Sequence, residues 1–225
     1  MKIKYNYFII ILCIYSQIAL GQTKLDSIAI NNVDSTLITK EYTSLEEALK
    51  NPELVYRLNL SNKKVMMPKD NWAKFKNLQY LSLKNDHLGV IPNEISNLRN
   101  LKILDLSGND FKNLPKSFSN LSNLEELFLN DEKYFKIDSN MKTLSLLPNL
   151  KILHLENDHL KRLPKNINSL THLEMLYLNK NNFNSIPAEI KGLKNLKYLD
   201  IHDNRITPNS YQNIQNQNFG IKINY

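Results

Sequence analysis

A frame of 23 residues recurs along the middle of the chain and limits its possible folds more than any other feature. In LKILDLSGNDFKNLPKSFSNLSN, from Leu101 to Asn123, apolar posts stand at Leu101, Leu104, Leu106, Phe111, Leu114, Phe118 and Leu121. Asn109 and Pro115 hold fixed places between them. The same posts return in frames beginning at Leu78, Leu150 and Leu173. A unit this short cannot bury its own apolar face, so it is stable only when stacked on neighbours that share one continuous core. The expectation is an array that grows one unit at a time.

Each head carries the pattern L-x-x-L-x-L-x-x-N-x-L. Strand side chains alternate with period two, so the L-x-L pair turns both leucines to one side of an extended segment. Neighbouring heads should pair as a parallel sheet about 4.8 Å apart. Asn109, Asn181 and Asn204 stand where the chain leaves the strand, and an Asn side chain both accepts from N–H and donates to C=O. Asp86 and Asp158 at that post only accept when ionised, so their turns are expected to be looser. Convex-side residues such as Ile95–Leu98 and Ile167–Leu170 close each unit from the wider side, which bends the stack.

Seven heads follow one another, from Val55, Leu78, Leu101, Leu124, Leu150, Leu173 and Leu196. The first is irregular around Pro68. The fourth departs most: it runs 26 residues, has Glu132 at the asparagine post and Asp138 in place of the proline. Its extra residues are expected to bulge from the convex side, so that deleting Ser139, Asn140 and Met141 would cost little.

Residues 1–21 read as a secretory signal. Lys2 and Lys4 precede the apolar run Phe8–Leu20, and Ala19-Leu20-Gly21 places small residues where cleavage needs them. The run is 13 residues long, short of the roughly 20 that span a bilayer. No stable membrane insertion is expected once it is removed. Residues 22–54 form a leader with a capping helix near Thr43–Leu49, where Ser44 with Glu47, or Thr43 with Glu46, matches a capping box. Asp26–Lys40 is a candidate leading strand. The repeats occupy 55–206, and 207–225 form a C-terminal cap with a last strand in Phe219–Tyr225.

These motifs resemble the leucine-rich repeat family over Val55–Ile206, in the 23-residue class similar to Ras-binding and cell-polarity scaffolds and to many bacterial surface proteins. The resemblance implies an α/β repeat: a right-handed solenoid, or horseshoe, with a parallel sheet on the concave face and a mostly irregular or short-helical convex side. It also implies a non-catalytic module whose concave sheet meets a protein or peptide partner. With the signal, the location is extracytoplasmic; the alternative is a cytoplasmic signalling scaffold of the Ras-binding type.

In this frame the concave positions expected to face solvent include Tyr80, Ile103, Phe128, Ile152, His154, Met175, Tyr177 and Tyr198. Interface cores are enriched in aromatic and Met side chains, and contiguous exposed apolar patches mark contact sites, so these eight are the candidate binding residues. Shielding of neighbouring strands is the other use for such side chains. Glu125, Glu126 and Asp131 are expected to rim the patch.

Charge and composition narrow the chemistry. Loss of Lys2 and Lys4 lowers the formal charge from +7 to +5, and the concave positions carry slightly more acids than bases. Nucleic acid is disfavoured there, for want of phosphate-neutralising charge. Cys13, the one cysteine, lies in the segment to be removed, so no disulfide or thiolate chemistry is expected. His87 and His159 are loop residues, and His154 and His202 stand two strands, about 10 Å, apart. No phosphate loop, nucleophile–base pair or metal set is evident. Catalytic residues, metal and cofactor are all expected to be absent.

Overall fold

The computed structural model describes residues 35–64, 69–207 and 220–225. The signal segment and most of the leader therefore lie outside the described residues. The chain divides into two compact units, Met1–Ile38 and Thr39–Tyr225. In the first, the described residues belong to a short helix, α1 (Ser35–Thr39), where part of the leading strand was expected.

The second unit is a right-handed solenoid built on one parallel sheet. Its strands are β1 (Glu41–Tyr42), β2 (Arg57–Asn59), β3 (Tyr80–Ser82), β4 (Ile103–Asp105), β5 (Glu126–Phe128), β6 (Ile152–His154), β7 (Met175–Tyr177), β8 (Tyr198–Asp200) and β9 (Lys222–Asn224). They lie in chain order, each hydrogen-bonded to the next. A leading strand, β1, stands just beyond the Asp26–Lys40 stretch expected for it, and β9 is the expected last strand beside β8.

The register follows the repeat. Leu58, Leu81, Leu104, Leu127, Leu153, Leu176 and Leu199 align across the sheet, and all are fully buried. Burial of each such side chain contributes about 1.5–3 kcal/mol. On the convex side, short 3-10 turns such as Asn93–Asn97, Lys116–Asn120 and Ala188–Gly192 close the units. Pro92, Pro115 and Pro187 precede them at φ of −60°, −65° and −60°, the angle to which the proline ring locks the chain.

The asparagine posts work as expected. Asn109 Oδ1 accepts from Asp86 N–H (3.2 Å) and Leu88 N–H (3.0 Å), and its amide donates to Leu83 O at 2.9 Å. Asn181 repeats the arrangement with Asp158, Leu160 and Leu155. The acidic posts keep the accepting half alone. Asp86 takes the N–H groups of Lys63 and Lys64, Glu132 that of Asn109, and Asp158 that of Glu132. Their other oxygens, Asp86 Oδ2, Glu132 Oε2 and Asp158 Oδ2, are buried without a hydrogen-bond partner. Burial foremost, then neighbouring carboxylates, pushes Glu132 up to about 9 and Asp158 up to about 8.

A second asparagine row was not anticipated. Asn77, Asn100, Asn123, Asn149 and Asn195 each donate from the side-chain amide to a backbone carbonyl of the preceding unit, at 2.6–2.8 Å. They recur just before the heads at Leu78, Leu101, Leu124, Leu150 and Leu196, a periodicity visible in the sequence.

The fourth repeat corrects the expectation of a convex bulge. Its extra residues form a helix, α3 (Ile137–Leu144). Ile137, Met141 and Leu144, four and three residues apart, turn one helical face to the core and are buried. Asn140 is 1% exposed. It accepts from Leu114 N–H at 2.8 Å and donates to Lys112 O (3.1 Å) and Lys136 O (3.0 Å). These residues join two repeats. At the N-terminal end, helix α2 (Leu45–Ala48) is shorter than predicted, and Ser44 Oγ caps it by accepting from Glu47 N–H at 3.3 Å.

Candidate binding face

The in-register strands place fifth-position side chains side by side: Phe128 beside His154, and His154 beside Tyr177. The result is a stack. Phe128 and His154 have centroids 3.8 Å apart and planes 15° from parallel. His154 and Tyr177 lie at 4.3 Å and 5°. Tyr198 follows, tilted, at 5.6 Å from Tyr177.

Two carboxylates grip the central imidazole. Nε2 lies 3.0 Å from Glu126 Oε1 and Nδ1 lies 3.4 Å from Glu156 Oε1. Carboxylate oxygens accept, so the imidazolium, with both ring nitrogens donating, is the form of the ring that makes both bonds at once. Burial alone would lower the pKa of His154, but hydrogen bonds and charge from Glu126 and Glu156 outweigh it and hold it above the usual histidine value. The cation lies between two π faces, an arrangement that ring quadrupoles favour. With two carboxylates and one imidazolium, this cluster keeps a net negative charge.

Accessibility departs from the sequence expectation at three positions. His154 is 8% exposed, Ile152 5% and Glu126 5%, where solvent-facing groups were expected. Large side chains on both neighbouring rungs cover His154, and its ion pair draws Glu126 inward from the rim. Tyr80, Ile103, Phe128, Met175, Tyr177 and Tyr198 are half-buried. The structure brings Phe128, His154, Tyr177 and Tyr198 into one row. Tyr80 stands apart beneath Arg57, whose guanidinium lies 4.2 Å from its ring centre. Burial, with the charges of Asp105 and Glu41, pushes the Tyr80 phenol up to about 12.

Much of the charge on this face is paired within it. Lys151 meets Glu125 at 3.3 Å, Lys197 meets Glu174 at 2.7 Å, and Arg57 meets Glu41 at 3.2 Å. Sequence reasoning missed the holding role of Glu126 and Glu156. Glu156 lies two residues beyond His154, so the period-two rule could have found it. Among the described residues, no group of three or more His, Cys, Asp or Glu side chains is placed to hold a metal ion. Among the same residues, no helix is long and apolar enough to cross a membrane.

A one-way parallel sheet with a built concave surface and short convex turns defines a repeat-solenoid scaffold. The family model for a leucine-rich repeat region matches residues 35–147 and 132–217, and the chain belongs to the leucine-rich repeat family. No curated protein matches it. Among solved structures it is similar to a leucine-rich repeat protein of Leptospira interrogans, at 32% identity and a TM-score of 0.59. That match covers 75% of this chain and 48% of the other. An internalin of Listeria monocytogenes matches at 22% identity and TM-score 0.57, covering 76% and 48%. A chain of the Drosophila Toll–Spätzle complex matches at 18% and 0.59, covering 67% and 20%. The last two likenesses are of fold alone, and the chain spans about half the length of the Leptospira and Listeria structures. Fold and family support a non-enzymatic role.

Proposed function

We propose that this is a non-enzymatic, exported leucine-rich repeat protein that binds a protein or peptide partner on its concave face. The carrying observation is the ring row on adjacent rungs, with Phe128 and Tyr177 half-buried around the stacked imidazole of His154. Binding energy concentrates in a few central aromatic side chains, and here such side chains are already ordered. Phe128, Tyr177, Tyr198, Met175, Ile103 and Tyr80 make the contact, while Ile152 and His154 support it from below. We assign the repeats to the 23-residue class, the division to 1–21, 22–54, 55–206 and 207–225, and the location to outside the cytoplasm.

The test is capture from the native host with the chain from Gln22 onward, compared with the Phe128→Ala/Tyr177→Ala double variant. A partner retained by the first and lost by the second is expected. A partner that survives the double variant but is lost on convex-face substitution refutes the assigned face. N-terminal sequencing of the native protein should read from Gln22. An intact Met1 or Lys2 would instead favour the cytoplasmic, Ras-binding type of scaffold.

A further inference from the structure

The ring row stops at Phe128. In register beside it on β4 is Asp105, followed by Ser82 on β3 and Asn59 on β2. A tall aromatic stack therefore borders a floor of short polar side chains, flanked by Tyr80 and Ile103 at the third positions. Phe128 gives one face to His154. Since the rings stack along the direction that joins the strands, its other face is turned toward the Asp105 rung. Among the described residues, no ring or cation lies against that face.

Among the described residues, no cation pairs with the Asp105 carboxylate. Oδ1 accepts from Ser107 N–H at 3.0 Å, and Oδ2 has the Ser82 hydroxyl at 3.5 Å. Lys84 and Lys102, on the same two repeats, make no ion pair with it. The nearby Glu126–His154–Glu156 cluster adds a further net negative charge.

We propose that the partner presents an arginine or lysine side chain that lies against the free face of Phe128 and over Asp105, with arginine the better fit. This rests on the concave-face reading above and names the chemistry of its partner. A flat guanidinium would extend the existing stack by one layer, gaining the ring quadrupole and a charge-assisted hydrogen bond together. The chain already builds this combination for itself two rungs away. Arg57 lies over Tyr80 at 4.2 Å while its Nη2 donates to Glu41 Oε2 at 3.2 Å. At the far end Lys222 lies 5.8 Å from the Tyr198 ring centre. Rings at both ends of the strip are covered by the chain's own cations, and Phe128 in the middle stands beside a carboxylate that has none among the described residues. An acidic partner, nucleic acid included, would meet Asp105 and the net-negative cluster and be repelled.

The test is selection of a phage-displayed library of random 12-residue peptides on the full chain, with affinities then measured on synthetic peptides. The selected sequences should share an arginine or lysine. Affinity should fall about tenfold or more with Asp105→Asn, with Phe128→Leu, or when the peptide's arginine is replaced by neutral citrulline. Asp105→Asn retains an acceptor for Ser107 N–H, so an unchanged melting curve should accompany the loss. Peptides that are lost with Tyr177→Ala yet lack a basic residue, or tolerate Asp105→Asn and citrulline, overturn this inference and leave the concave-face reading standing. Binding indifferent to all three protein variants overturns both. Acidic selected peptides, or none above background, also overturn the inference.

Discussion

The imidazole of His154 lies face to face with the ring of Tyr177, 4.3 Å away and 5° from parallel, while its edge nitrogens are held by Glu126 and Glu156. A ring fixed at both its faces and its edge cannot rotate to suit a ligand. The surface above it is therefore pre-organised, which lowers the ordering cost of binding.

The grip on His154 has a pH signature. Its folded pKa is raised, so the stabilisation is fully present below the unfolded histidine value near 6.5 and is lost as pH rises through the folded value. An NMR titration of the imidazole should give an apparent pKa above 6.5 for His154. Glu126→Gln and Glu156→Gln should each lower it. An unshifted titration in wild type would mean that the two carboxylates do not hold a proton on the ring.

The buried acids Glu132 and Asp158 act in the opposite direction from ordinary paired carboxylates. Each binds its proton more tightly when folded, so its full contribution is present below the unfolded values of 4.5 and 3.8. That contribution is lost as pH rises through about 9 for Glu132 and about 8 for Asp158. Asp110, Asp131 and Glu156 are the other acids that face this pair and add to the loss. Asp158→Asn restores the donor that Asn181 uses on Leu155 and Leu178. It should raise stability by about 1–3 kcal/mol at neutral to alkaline pH and flatten the pH dependence in thermal melts.

Substitutions on the two sides of one strand should separate cleanly. Leu127→Ala or Leu176→Ala opens a core cavity and should cost about 2–5 kcal/mol. Phe128→Ala or Tyr177→Ala removes a stacking partner at a half-buried site and should cost about 0.5–1.5 kcal/mol. Urea denaturation of the four variants checks the order. Equal losses on both sides would mean that the ring row belongs to the core.

Helix α3 makes the fourth repeat intolerant of shortening. Asn140→Ala should cost about 1–3 kcal/mol, because the buried Leu114 N–H and the part-buried Lys112 carbonyl lose their partner. Deletion of Ser139, Asn140 and Met141 should broaden the unfolding transition by uncoupling the repeats on either side. A variant that keeps a sharp, unshifted transition would refute this role for α3.

The sheet was legible because Leu104 and its equivalents recur at one spacing, and period two alone assigns each side chain to a face. The Asn109 turn was legible for the same reason, since its chemistry is local. Burial of His154 was not. Periodicity gives its rung and side but not how far Phe128 and Tyr177 overlap it, nor that Glu126 turns inward. Asn140 escaped because the groups it satisfies lie in the preceding repeat. The apolar spacing of Ile137, Met141 and Leu144 could still have revealed the helix beneath it. The second asparagine row was plain as a pattern, and only the fold shows what its amides bind.

That second row is broken once. His172 occupies the place held by Asn149 before it and Asn195 after it, and no matching side-chain bond reaches back there. Every other joint from Asn77 to Asn195 is riveted to the unit behind it by an amide. The array thus has a seam, lacking this rivet, between its fourth and fifth repeats, just before the rung that carries His154. Stretched from its two ends, the solenoid should part first along that seam, dividing Phe128 from His154 and opening the stack at its first joint.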